Sequence, residues 1–150
     1  MTKKNMIVAG LAGVALSVAV AGGAALAHHA FAAEFDGKAP VLLRGKVTKV
    51  EWINPHAWVH INVVGTDGKE TEWMVEGGTP NTLLRAGIDR NSLKAGQEII
   101  VRGYQSKDRL CRPACKANGR DVTFPDGKKL FMGSSGTGAP TDGADPTEKK

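Results

Sequence analysis

From Ala57 to Val64 the chain alternates with period two, so that Val59, Ile61 and Val63 fall on one side and Trp58, His60 and Asn62 on the other. This pattern predicts a strand whose first set faces a core. Thr66-Asp67-Gly68-Lys69 follows as a hairpin turn, with Asp-Gly supplying the positive φ a tight turn needs, and a further strand is predicted over about Glu70 to Glu76. Upstream, Val41 to Trp52 has strand composition, with Gly45 in its interior as a bulge or bend. Asn54-Pro55 marks the turn between these strands, because proline fixes its own φ and biases the residue before it away from helix.

Gly77-Gly78 ends the third strand. Thr79-Pro80-Asn81 then reads as a helix cap followed by proline at the first helical position, and Leu83-Leu84-Arg85-Ala86 runs to Gly87, a C-terminal stop. A fourth strand is expected from Glu98 to Tyr104, and a last hairpin from Asp121 to Phe131 around Pro125-Asp126-Gly127. Three strands, one short helix and two or more strands make an all-β chain with one short helix. The order matches an OB-fold-like five-stranded Greek-key barrel, with its helix between the third and fourth strands. A β-sandwich is the alternative, but it gives no reason for a helix at that point.

The two ends have a different texture. Met1 to Ala27 has a charged start at Lys3 and Lys4, an apolar run from Met6 to Ala21 and small residues at Ala25 and Ala27, the three parts of a cleaved secretory signal. An uncleaved anchor is the alternative; Gly10, Gly13, Gly22 and Gly23 interrupt the run, and no charged stop-transfer cluster follows it. Residues 28–40 read as an N-terminal arm, 41–132 as the domain, and 133–150, rich in Gly, Ser, Thr, Pro and charge, as a disordered tail. The expected location is therefore periplasmic, with no stable membrane insertion after cleavage. Twenty basic against 15 acidic side chains give a formal net charge of +5, and loss of Lys3 and Lys4 lowers it by two. The remaining positive charge is scattered and not interleaved with aromatics, which argues against a nucleic-acid partner.

His28-His29-Ala30-Phe31, Asn54-Pro55-His56-Ala57-Trp58, Pro80-Asn81-Thr82-Leu83-Leu84-Arg85 and Pro125-Asp126-Gly127-Lys128-Lys129-Leu130-Phe131 occur in that order. In this combination the chain resembles a family of small exported proteobacterial proteins classed as a domain of unknown function. The resemblance spans roughly His28 to Gly133 and implies location and fold. It implies no activity, and Cys111 and Cys115 depart from its usual pattern.

Three constellations carry candidate chemistry. Cleavage after Ala27 would make His28 the mature N-terminus, with a free amine beside its own imidazole and His29 next to it. Such donors suit copper(II), which prefers tetragonal nitrogen ligands. A third ligand is needed, His56 in the turn or His60 on the outer face of the second strand, and no other cofactor is indicated. Cleavage elsewhere, for instance after Ala30, would remove the site.

The second constellation is Asn54, His56 and Trp58, in the loop that OB-folds use for ligands; the competing reading is a turn with tryptophans covering the barrel end. The third is Cys111-Arg112-Pro113-Ala114-Cys115, short enough to close as a disulfide in an oxidising compartment, with redox chemistry, metal binding and free thiols as alternatives. No Gly-x-Ser-x-Gly, His-Glu-x-x-His or phosphate-binding glycine loop is present, and Glu51, Glu72 and Glu76 read as outward strand charges, so no catalytic role is expected. The expectation is an exported binding or accessory protein that takes copper through its histidines. The alternative is a metal-free module at residues 54–58 for a periplasmic protein or small ligand.

Overall fold

The structure is a computed structural model and describes residues 31–133. The chain divides into two compact units between Ala33 and Glu34. Of the first, only the helical residues 31–33 are described, and everything below concerns the second. The signal region, His28, His29 and the tail from 134 onward lie outside the described residues.

Six strands and one helix follow in order: β1 Phe35–Glu51, β2 Trp58–Val64, β3 Glu70–Glu76, α1 Pro80–Arg85, β4 Glu98–Ser106, β5 Cys115–Thr123 and β6 Lys129–Phe131. They form one sheet in the order β3-β2-β1-β4-β5-β6, and a parallel pairing of β3 with β5 closes the first five into a ring. Walking round it gives β1-β2-β3-β5-β4 and back to β1. This is the OB-fold-like connectivity expected above, and it removes the sandwich alternative.

Closure depends on β1 serving two partners. Its first part pairs with β4 and its last part with β2, and Gly45 is opposite both Val63 and Ile99 at the changeover. Only glycine fits there, because a Cβ would land on the carbonyl oxygen of Asn62. The ladder then slips between Val47 and Lys49. On the far side of the ring, Arg102 pairs with Asp121 but Gly103 with Gly119, so Arg120 is the extra residue of a bulge.

The predicted alternation of β2 is observed. Val59 and Ile61 are buried in one cluster with Leu43, Val47, Val75, Ile99, Val101, Ala117 and Val122, and Val63 packs against it. Each fully buried aliphatic side chain contributes about 1.5 to 3 kcal/mol by removal from water. Helix α1 adds Leu83 to this core. Thr79 caps it by accepting from the Thr82 N–H at 3.1 Å, Pro80 sits in its first turn, and Gly87 at φ 85° stops it. The Ile88 N–H reaches the Leu83 carbonyl and the Gly87 N–H the Leu84 carbonyl, so two terminal acceptors are satisfied.

Two element boundaries differ from expectation. β1 begins at Phe35, inside the segment read as an arm, because Phe35 is buried and pairs with Ser106. β5 begins at Cys115, not near Asp121, because its early residues pair with β3. Neither pairing leaves an apolar alternation in the sequence.

Candidate functional site

Two histidines, one on β2 and one in the loop before it, have different surroundings. His60 lies in the middle of β2, opposite Lys49 of β1 and Met74 of β3. Its Nδ1 is 3.0 Å from Glu72 Oε1 and its Nε2 is 3.5 Å from Glu51 Oε1. Lys49 in turn pairs with Glu51. Hydrogen bonding from Lys49, aided by the charges of Lys49 and His60, holds the Glu51 carboxyl below its ordinary range. Both ring nitrogens of His60 face carboxylates and the residue is only 7% exposed. This imidazole is enclosed, and a ligand would have to displace a glutamate to reach either nitrogen.

His56 belongs to the loop before β2, where the Asn54–Pro55 peptide bond is cis. Its Nδ1 lies 3.3 Å from the Gly77 carbonyl oxygen and 3.7 Å from Glu76 Oε1. Both neighbours are acceptors, so Nδ1 carries the proton and donates, which leaves the lone pair on Nε2. The side chain is 37% exposed. Trp58 stands beside this arrangement, half-buried and in register with Glu76, while Asn54 is exposed in the loop.

Glu76 ends β3 and is buried, contrary to its reading as an outward strand charge. The cause is the closing seam: Asn118 of β5 is in register with it, and the Asn118 amide donates to Glu76 Oε1 at 3.0 Å. Burial raises the Glu76 carboxyl above its ordinary range, opposed first by the charge of His56 and assisted by Glu34. Arg120, the bulge residue, is 1% exposed; burial lowers its pKa, while the charges of Tyr104 and Glu76 act in the opposite direction. A buried carboxylate and a buried guanidinium therefore share the seam beneath His56. Glu34, the first residue of this unit, is close enough for its charge to act on Glu76.

Of the sequence-predicted residues, His56 and Trp58 are brought together at Glu76, and His60 is held by other carboxylates. His28 and His29 lie outside the described residues. Among the described residues, no group of three or more His, Cys, Asp or Glu side chains is arranged to hold a metal ion. Cys111 and Cys115 form a disulfide, so neither is a free thiol. Sequence reasoning did not anticipate Asn118 and Arg120. Their one visible trace is polar residues interrupting a stretch that turns out to be a buried strand.

With this geometry in place, comparison with known proteins adds one match: the model of a family described as a family of unknown function, DUF6152, fits residues 15–112. No curated protein and no solved structure matches the chain.

Proposed function

We propose that this chain, which belongs to the DUF6152 family, is an exported periplasmic binding or accessory protein without catalytic activity that binds copper(II) with His56 as a ligand. The observation that carries the reading is the orientation of His56. With Nδ1 committed to the Gly77 carbonyl and faced by Glu76, Nε2 is the ligating atom on offer, and a histidine held at its second nitrogen by a carbonyl or carboxylate is the usual arrangement at metal sites.

Charge supports the same reading, since Glu76 places a buried carboxylate 3.7 Å behind the imidazole. His60 is the poorer third ligand because both its nitrogens already face glutamates. A periplasmic location agrees with the signal-like N-terminus and with a disulfide formed in an oxidising compartment.

The test is a copper(II) titration, followed by electron paramagnetic resonance and calorimetry, of mature protein whose N-terminus is confirmed as His28. One equivalent bound through nitrogen is expected, with affinity at least about tenfold weaker in His56→Ala and unchanged in His60→Ala. Equal affinity in wild type and His56→Ala overturns the copper reading. It would leave the metal-free module, with Asn54, His56 and Trp58 facing a protein or small ligand.

A further inference from the structure

The loop between β4 and β5 is fastened by polar contacts as far as Leu110. Asp108 accepts hydrogen bonds from the Ser106 hydroxyl at 2.8 Å and the Leu110 N–H at 3.1 Å, and these hold its carboxyl below the ordinary range. Arg109, at φ 53°, donates to Gln105 at 2.6 Å and pairs with Asp36 of β1 at 2.7 Å. The segment leading to Cys111 is thus fastened to β1 and β4 by polar contacts. The Cys111–Cys115 disulfide closes only a short loop, and loop-closure stabilisation is smallest for short loops.

The two cysteines are unequal. Cys115 is the first residue of β5, 3% exposed and in register with Trp73. Cys111 is exposed, flanked by Leu110 at 60% exposure and by the exposed Arg112. A thiolate approaching from solvent therefore meets the Cys111 side of the bond. An apolar side chain and a cation stand beside the point of attack, and cations near a cysteine favour its thiolate.

We propose that Cys111–Cys115 is a thiol–disulfide exchange site that accepts the thiolate of a dithiol partner protein at Cys111. The partner's sulfur forms a bond to Cys111 Sγ as the Cys111–Cys115 bond breaks. The electron pair departs on Cys115 Sγ, which takes a proton from water. The partner's second thiol, losing its proton, then displaces Cys111 Sγ, so that the partner leaves as a disulfide and this chain as two thiols. Because the contacts of Asp108 and Arg109 persist, the fold survives the reduction. The inference is independent of copper binding, since neither His56 nor Glu76 takes part.

Oxidised wild-type protein is incubated with millimolar reduced glutathione under native conditions, quenched with a maleimide and mapped by mass spectrometry, with circular dichroism run in parallel. The expected result is opening of the disulfide in protein that stays folded, with the glutathione adduct on Cys111. In single-cysteine variants, Cys115→Ser, which keeps Cys111, reacts with oxidised glutathione at least about tenfold faster than Cys111→Ser. A disulfide that opens only after urea unfolds the chain overturns the proposal, and so do equal rates in the two variants. Should either variant fail to fold, the adduct in wild type decides, and an even distribution between Cys111 and Cys115 overturns the proposal.

Discussion

His60 on β2 and His56 in the loop just before it are close in sequence, yet only one of them is free to act. His60 sits between two glutamates on the local β1-β2-β3 meander, its Nδ1 hydrogen-bonded to Glu72 and its buried Nε2 facing Glu51 at 3.5 Å. His56 lies in the loop before β2, where the end of β3 supplies a carbonyl and a buried carboxylate to Nδ1 and leaves the lone pair on Nε2. The difference teaches that a histidine's availability is set by how many acceptors surround it more than by its position on a strand or a loop.

The largest effect is expected at the seam. Asn118→Ala leaves the Glu76 carboxylate buried without its amide donor and should cost about 2 kcal/mol, read as a lower urea midpoint at unchanged slope. His60→Ala should cost less, about 1 kcal/mol, since Glu51 and Glu72 are partly exposed and solvent screens them once the imidazole is gone. A ranking in which His60→Ala is the costlier change would break the contrast between a buried seam and a solvated clamp.

The smallest and sharpest test is the pH dependence of two glutamates that shift in opposite directions. The raised Glu76 carboxyl means that the folded state holds this proton more tightly than the unfolded chain. Its contribution to stability is therefore full below the ordinary glutamate range of about 4 to 5 and is lost as pH rises through the folded value. The lowered Glu51 carboxyl contributes above that range and loses its contribution as pH falls through the folded value. In thermal melts across pH, Glu76→Gln should gain on wild type as pH rises, and Glu51→Gln should lose. Parallel curves for the two variants would show that the two carboxylates share one environment.

Much of the fold was legible because its signals are local. The alternation of β2, the turn at Asp67-Gly68, the Thr79-Pro80 cap and the Gly87 stop each depend on a few adjacent residues, and each is where it was expected. The start of β1 was hidden because Asp36, Gly37, Lys38 and Pro40 show no alternation; the ladder to β4 takes hold at Phe35 and Pro40 and is irregular between them. Asn118, Gly119 and Arg120 concealed β5 in the same way, since polar residues are tolerated inside a strand only when a distant partner satisfies them. Glu76 looked like any outward strand charge for the same reason. Its burial comes from β5, 42 residues further along the chain.

The four parallel pairs between β3 and β5 also set an order of assembly. The β1-β2-β3 meander joins neighbours in sequence and is inexpensive in chain entropy, whereas the β3–β5 closure must wait for the helix and β4 to be in place, and such long-range pairings form slowly. The cluster of His56, Glu76 and Asn118 therefore comes into existence only when the ring shuts. A ligand that depends on this completed cluster would bind only the finished fold, and by mass action it would hold a newly made chain in that form.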